Sequence, residues 1–155
     1  PPANTAVYSW YNNDENNAET LGGLYNWYAI ETQKLCPCGW RVPSDNDWEE
    51  LRTFLDPYAG VNTDDAGGQM KATILWEEPN TGATNSSGFG GLPGGFRSNG
   101  GTFSFFGERG YWWSSTENSY NFAWSRSLQN NSTSVPRNNS GKGFGNSVRC
   151  IKNAE

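Results

Sequence analysis

The stretch Gly110-Tyr111-Trp112-Trp113-Ser114-Ser115-Thr116-Glu117, taken with Ser147-Val148-Arg149-Cys150, decides how this chain is read. The first is an aromatic strand and the second a strand that ends in cysteine. Between them, residues 121–146 are rich in Asn and Ser and nearly free of aliphatic side chains. Two anchored strands thus bracket a long polar segment, which reads as an exposed surface suited to contact rather than to catalysis.

The rest of the chain fits a single domain. Its 155 residues are of ordinary domain size. Hydrophobic residues make up only 34%, but 15% are aromatic, with eight Trp, seven Tyr and eight Phe. Large rings bury much area each, so they can build a core that aliphatics do not supply. That aromatic content also argues against disorder. Nineteen Gly and eight Pro imply many turns and few long elements.

The net charge of −5 and the absence of any Lys/Arg run exclude nucleic acid and anionic membrane surfaces as natural partners. No apolar run approaches the ~18 residues of a membrane span. No signal peptide is visible, and the opening Pro1-Pro2 reads as a mature form or an excised domain. Histidine is absent, which removes the commonest general base and transition-metal ligand. Of the three cysteines, Cys36 and Cys38 are too close for an easy mutual bridge. A long-range bond from either to Cys150 is the better reading, and three reduced thiols are the alternative.

Along the chain, residues 1–20 form a polar lead-in with a short strand around Tyr8-Ser9-Trp10-Tyr11, followed by one domain over 21–153. Leu21, Leu24, Trp27 or Tyr28, and Glu31 have helical spacing and predict a helix over 21–33. A second helix starts at Ser44 as N-cap, with Asp45 and Asp47 in its first turn. It presents Trp48, Leu51, Phe54 and Leu55 as an apolar face, and ends at Asp56-Pro57. Residues 61–68 read as a loop, 70–76 as an element of open type, and 80–101 as a long glycine-rich loop pinned by Phe89, Leu92 and Phe96. Strands are predicted over 102–106, 111–116, 121–128, 132–135 and 147–152, forming a small antiparallel sheet. On the strand 121–128, alternation puts Phe122, Trp124, Arg126 and Leu128 on one face, with Trp124 and Arg126 close enough for a cation–π contact.

Several segments together carry a resemblance. They are Asn12-Asn13-Asp14, Leu24-Tyr25-Asn26-Trp27-Tyr28, Cys36-Pro37 with Gly39-Trp40 and Val42-Pro43-Ser44-Asp45, then Trp48, and Gly67-Gly68 with Met70-Lys71. Gly88-Phe89, Leu92-Pro93-Gly94-Gly95-Phe96-Arg97, the aromatic strand and Ser147-Val148-Arg149-Cys150 complete the set, over about residues 8–153. This pattern resembles the Fibrobacter succinogenes major paralogous domain. The resemblance implies an α+β, C-type lectin-like fold, shared with the formylglycine-generating enzyme: two helices on small twisted antiparallel sheets with long irregular loops. It implies a secreted or surface location, often as a bacterial lipoprotein. It also implies a disulfide between Cys36 and Cys150, leaving Cys38 as an extra thiol. Relatives usually carry an earlier strand of Gly-x-x-Trp-Met-x-Glu-Asn-Leu type. This chain begins past it, so residues 1–11 take its place or the natural protein is longer.

The function expected on this basis is non-catalytic binding of an extracellular glycan or protein ligand, with no cofactor, no obligatory metal and no membrane insertion. The candidate ligand-binding residues are Glu117, Asn118, Tyr120, Trp124, Arg126, Asn130, Asn138 and Asn139, because amides, rings and a guanidinium give adaptable contacts. A sharper version makes the chain the variable receptor-binding protein of a diversity-generating retroelement, given Arg126 followed by Asn130-Asn131 and then Arg137-Asn138-Asn139. The enzyme alternative is an oxidase like the formylglycine-generating enzyme, which needs a pair of active-site cysteines. Adjacent acids (Glu49-Glu50, Asp64-Asp65, Glu77-Glu78) suit a glycosidase poorly, since neighbours on a helix point apart. Asp64, Asp65 and the loop 80–87 offer oxygen ligands to calcium, but without EF-hand spacing.

Overall fold

The computed structural model describes residues 4–58 and 64–154. In chain order its elements are β1 (Tyr8–Ser9), α1 (Ala18–Leu21), β2 (Leu24–Tyr25), α2 (Trp27–Glu31), β3 (Trp40–Arg41), α3 (Asp45–Leu55) and α4 (Ala66–Met70). The second half supplies β4 (Gly94–Arg97), β5 (Phe103–Phe106), β6 (Arg109–Ser119), β7 (Phe122–Gln129), β8 (Arg137–Gly141) and β9 (Ile151–Lys152). The fold is α+β, with strand order β5-β4-β6-β7-β8 in the main sheet. Two small ribbons, β1-β2 and β3-β9, complete it.

Consecutive residues of β6 build the two halves of the core. Side chains alternate across a strand, so Trp112 and Trp113 leave the sheet on opposite sides. Trp112 joins Trp48 of α3, Met70, Trp76, Leu128 and Val135. Trp113 joins Trp27 and Ile30 of α2, Val42 and Ala123. A buried indole needs an acceptor for its N–H. Trp48 donates to the Trp113 carbonyl at 3.3 Å, Trp113 to Tyr25 at 2.6 Å, Trp27 to Ser114 at 3.0 Å and Trp76 to Gly91 at 2.9 Å. The rings that supply the core's area therefore also tie its layers together.

The helix at Ser44 forms as expected. Ser44 Oγ accepts from the Asp47 N–H, and Asp47 in turn accepts from the Ser44 N–H, a reciprocal cap. Phe54, however, is 82% exposed. Trp48, Leu51 and Leu55 fall at helical spacings of three and four, and Phe54 lies a residue off that stripe.

The two-helix expectation is corrected: four helices are present among the described residues, and the main sheet is mixed, since β4 and β6 run parallel at Gly95 and Gly110. The single helix over 21–33 is instead α1, β2 and α2. Gly22 takes φ of 71°, which ends α1, and Asn26 restarts helix by accepting from the Ala29 N–H at 3.1 Å. Of the predicted loop 61–68, residues 61–63 lie outside the described residues, and Ala66 begins α4. Its glycines let it lie directly on backbone. A Cβ on Gly67 would stand 2.4 Å from the Ser134 carbonyl oxygen.

At the end of α4, Lys71 is fully buried and donates to three carbonyls, those of Thr81 (2.7 Å), Gln129 (3.0 Å) and Ser132 (2.9 Å). Burial without a carboxylate beside it lowers its pKa to about 8. The long loop after residue 80 is thus clipped to the end of β7. Phe89 and Leu92 pack on the core as expected. Phe96 instead contacts Phe105, Tyr111 and Phe144.

Three strand expectations shift. Residues 132–135 form no strand; the partner of β7 is β8, five polar or glycine residues that carry no strand propensity of their own. Residues 147–152 reduce to a bridge from Ser147 to Trp112 and the pair β3-β9. The lead-in packs on the domain, as Tyr8 pairs with Tyr25 and the Tyr11 ring meets Phe103 and Phe106.

Candidate functional site

At the aromatic end of the polar segment the expected strand is present as β6, whereas Val148, Arg149 and Cys150 at the other end form no strand and are tied by a covalent bond instead. Cys36 and Cys150 form a disulfide with Cα atoms 5.8 Å apart across 114 residues of sequence, and Cys38 is left as an exposed free thiol. Residues 121–146, however, are not one exposed surface. Ser125, Arg126, Ser127, Ser140, Lys142 and Asn146 are buried. β7 has both edges paired, by β6 and β8, and its consecutive residues Ser125, Arg126, Ser127 and Leu128 are all buried, so both its faces are covered. Small hydroxyls fit there because they can satisfy each other: Ser125 and Ser140 share a 2.7 Å hydrogen bond.

Arg126 is the main correction among the candidate residues. It sits opposite Trp112 on β6 and points at α3, with its side chain 4% exposed. It donates to Asp45 Oδ1 at 3.1 Å and to Glu49 Oε2 at 3.2 Å. The chain of charges extends further: Arg137 pairs with Asp45 at 2.8 Å, and Arg52 pairs with Glu49. Arg52, then burial in the opposite sense, then Arg126 set Glu49, whose net shift is below its ordinary value. Asp47, held by Arg41 at 2.7 Å and by Ser44, lies well below the usual carboxylate range. The acids of α3 are therefore structural partners for arginines of the sheet. Glu49 and Glu50 diverge, the latter accepting from Asn46.

Trp124 stays at the surface, half-buried, and its cation is not Arg126. The Arg137 guanidinium lies 3.4 Å from the ring centroid. Register explains this. Trp124 faces Asn139 across the β7-β8 ladder, and Arg137 is its diagonal neighbour. Asn139 is exposed and accepts from Asn118 Nδ2 at 2.8 Å, linking β8 to the far end of β6. Phe122, at the start of β7, is 40% exposed, and Tyr120 in the preceding turn is 82% exposed. Asn118, Phe122, Trp124, Arg137 and Asn139 thus form one patch at the open end of the sheet, beside the start of α3.

The remaining candidates are placed elsewhere. Glu117 is exposed but engaged by Lys142, whose ammonium also lies 4.5 Å over the Trp27 ring. Asn138 turns inward, donating to Ser127 Oγ at 3.1 Å and to the Pro136 carbonyl at 3.3 Å. Asn130 ties the Glu78 carbonyl at 3.2 Å, away from the patch. Arg137 and Phe122 were missed as site residues. Phe122 was visible on the same alternating face as Trp124, but Arg137 required knowing that β8 begins there.

No group of three His, Cys, Asp or Glu among the described residues is arranged to hold a metal ion. Among the described residues no helix is long and apolar enough to cross a membrane. The molecule so defined is an α+β domain, tied end to end by one disulfide, whose open sheet end carries aromatic, amide and guanidinium groups. Residues 2–152 match the family model described as the Fibrobacter succinogenes major domain, and the chain belongs to that family. No curated protein and no solved structure matches it.

Proposed function

We propose that this chain is a non-catalytic recognition module of C-type lectin-like type, exposed on a bacterial surface or secreted, which binds a protein or glycan ligand through Asn118, Phe122, Trp124, Arg137 and Asn139. One observation carries the reading: these side chains are already held in place by one another and by the sheet. The Trp124–Arg137 stack and the Asn118–Asn139 hydrogen bond fix groups that would otherwise lose rotamer freedom on binding. Flat rings beside amides are the mixture that recognition loops use.

The covered face of Trp124 favours a protein ligand. A sugar ring stacking there would have to displace Arg137, which is also paired with Asp45. The oxidase alternative loses support because Cys36 and Cys150 are bonded to each other, leaving Cys38 without a second thiol. The retroelement version is decided by the neighbouring genes. A reverse transcriptase with a near-copy of the C-terminal coding segment supports it.

The test is a binding screen against arrayed glycans and surface proteins with wild type, Trp124→Ala and Asn139→Ala. Both variants should weaken any ligand found by roughly tenfold or more, at unchanged melting temperature within a few degrees. Two variants that bind as wild type does would place the ligand site elsewhere.

A further inference from the structure

A second surface lies on the other side of α3, away from the patch of the previous section. A groove of about 680 Å³ runs between one flank of α3 and the C-terminal segment. Trp48, Leu51, Phe54, Phe89 and Ile151 give it an apolar floor and walls, with Arg149 set into it. Phe54 is 82% exposed here, an apolar ring that the fold does not use.

Arg149 stacks on Phe89, its guanidinium 4.6 Å from the ring centroid. No described carboxylate lies within ion-pairing distance of it. The acids nearby are otherwise placed: Asp47 is held by Arg41, Glu50 by Asn46, and Glu19 lines a second hollow that Arg149 also borders. Arg149 is exposed at the groove, lies over an apolar ring and has no anion beside it, unlike the two buried cations that carry acid partners. Arg126 has two acids, and Lys142 has Glu117.

The backbone beside Arg149 is also unpartnered. Arg41 pairs with Ile151, so the same register would set Pro43 opposite Arg149. Proline has no N–H to give, and the Pro43 carbonyl already accepts from Ser115 at 2.8 Å. The ribbon therefore stops, and the N–H and C=O groups of Val148, Arg149 and Cys150 make no hydrogen bond to any described residue. Val148 and Cys150 are half-buried and Arg149 is exposed, and Arg149 and Cys150 line the groove.

We propose that this groove takes an extended peptide segment of a partner protein, added alongside residues 148–150, with one carboxylate side chain on Arg149 and one apolar side chain against Phe54, Leu51 and Ile151. The free main-chain groups supply the hydrogen bonds of strand addition. The apolar pocket and the unpaired cation supply selectivity. Alternate residues of an extended chain face the same way, so the acid and the apolar residue stand two positions apart. Glu50 on the rim selects against a second acid in the same segment.

The experiment is selection from a library of acetylated, amidated octapeptides, followed by fluorescence-anisotropy titration of the best sequence and its Asn- or Gln-for-acid counterpart. The variants are Arg149→Met, which keeps the stem on Phe89, and Phe54→Ser, which alters a side chain outside the core. Amide hydrogen exchange at residues 148–150 is measured with and without the selected peptide. The expected result is enrichment of Asp or Glu two positions from Leu, Ile or Phe. Loss of the carboxylate, Arg149→Met and Phe54→Ser should each weaken binding roughly 10- to 100-fold, and exchange at 148–150 should slow on binding. No enrichment overturns the proposal, as does a selected peptide whose affinity ignores Arg149→Met and Phe54→Ser. Unchanged exchange at 148–150 overturns strand addition. Trp124→Ala should leave this binding intact, which separates failure here from failure of the patch on the open end of the sheet.

Discussion

Replacing Arg126 by alanine tests whether this residue faces ligand or holds the domain together. Its side chain is 4% exposed and lies between Asp45, 17% exposed, and Glu49, 44% exposed. Removing one member of a fully buried ion pair costs about 3–5 kcal/mol, because the partner is left buried and charged. Neither acid is orphaned here. Asp45 retains Arg137 and Glu49 retains Arg52, and Glu49 is open enough to be screened by water. The expected loss is therefore below that range, at about 2–3 kcal/mol, part of it from the stem that packs under α3. For a chain of this size that is a fall in Tm of roughly 4–12 °C. Arg126→Met keeps the stem and leaves each acid with one arginine, so it should stay within about 1 kcal/mol of wild type. Equilibrium urea denaturation of the three proteins, with matched m-values, reads the differences directly. An Arg126→Ala protein within about 0.5 kcal/mol of wild type would refute the buried assignment. Methionine as damaging as alanine would refute the argument that Arg137 and Arg52 hold the acids.

Further outcomes follow from other parts of the molecule. Converting Cys36 and Cys150 to alanine opens a link spanning 114 residues; the chain-entropy model puts the loss at about 5 kcal/mol, and a thermal melt that does not move would contradict it. Asp47 and Glu49 are held below their ordinary values of 3.8 and 4.5 in the folded protein. Their stabilisation is complete above about pH 5 and is lost as pH falls through those values towards the lower folded ones. Arg41→Gln should flatten the Asp47 part of that acid limb, and an unchanged pH profile would speak against it. Gly67→Ala drives a methyl group into the Ser134 carbonyl, 2.4 Å away, and should destabilise by about 1–3 kcal/mol; a neutral effect in chemical denaturation would mean α4 does not press on that backbone. Excess chelator should leave Tm within about 1 °C; a larger drop would reveal a structural cation.

The helix α3 was legible in advance because its cap, its acidic first turn and its apolar stripe are all local. The aromatic strand was legible for the same reason, being a run of strand-formers after glycine. β8 was not, because Arg137, Asn138, Asn139, Ser140 and Gly141 have no preference for extended chain. Their strand exists only because β7 offers them a ladder. The break between α1 and α2 was equally hidden, since it depends on the left-handed Gly22 and on Asn26 capping inward.

By itself the amino-acid sequence determined the family, the aromatic core, the α+β class and, through that family, the bond between Cys36 and Cys150. These depend on composition, local periodicity and matched spacing, all carried along the chain. Only the tertiary structure decided which polar residues are surface. Arg126 and Arg137 are both arginines within the same polar stretch. One is enclosed by α3 and the other stacked on an exposed Trp124, because register and layering, not residue type, determine which side chains meet water.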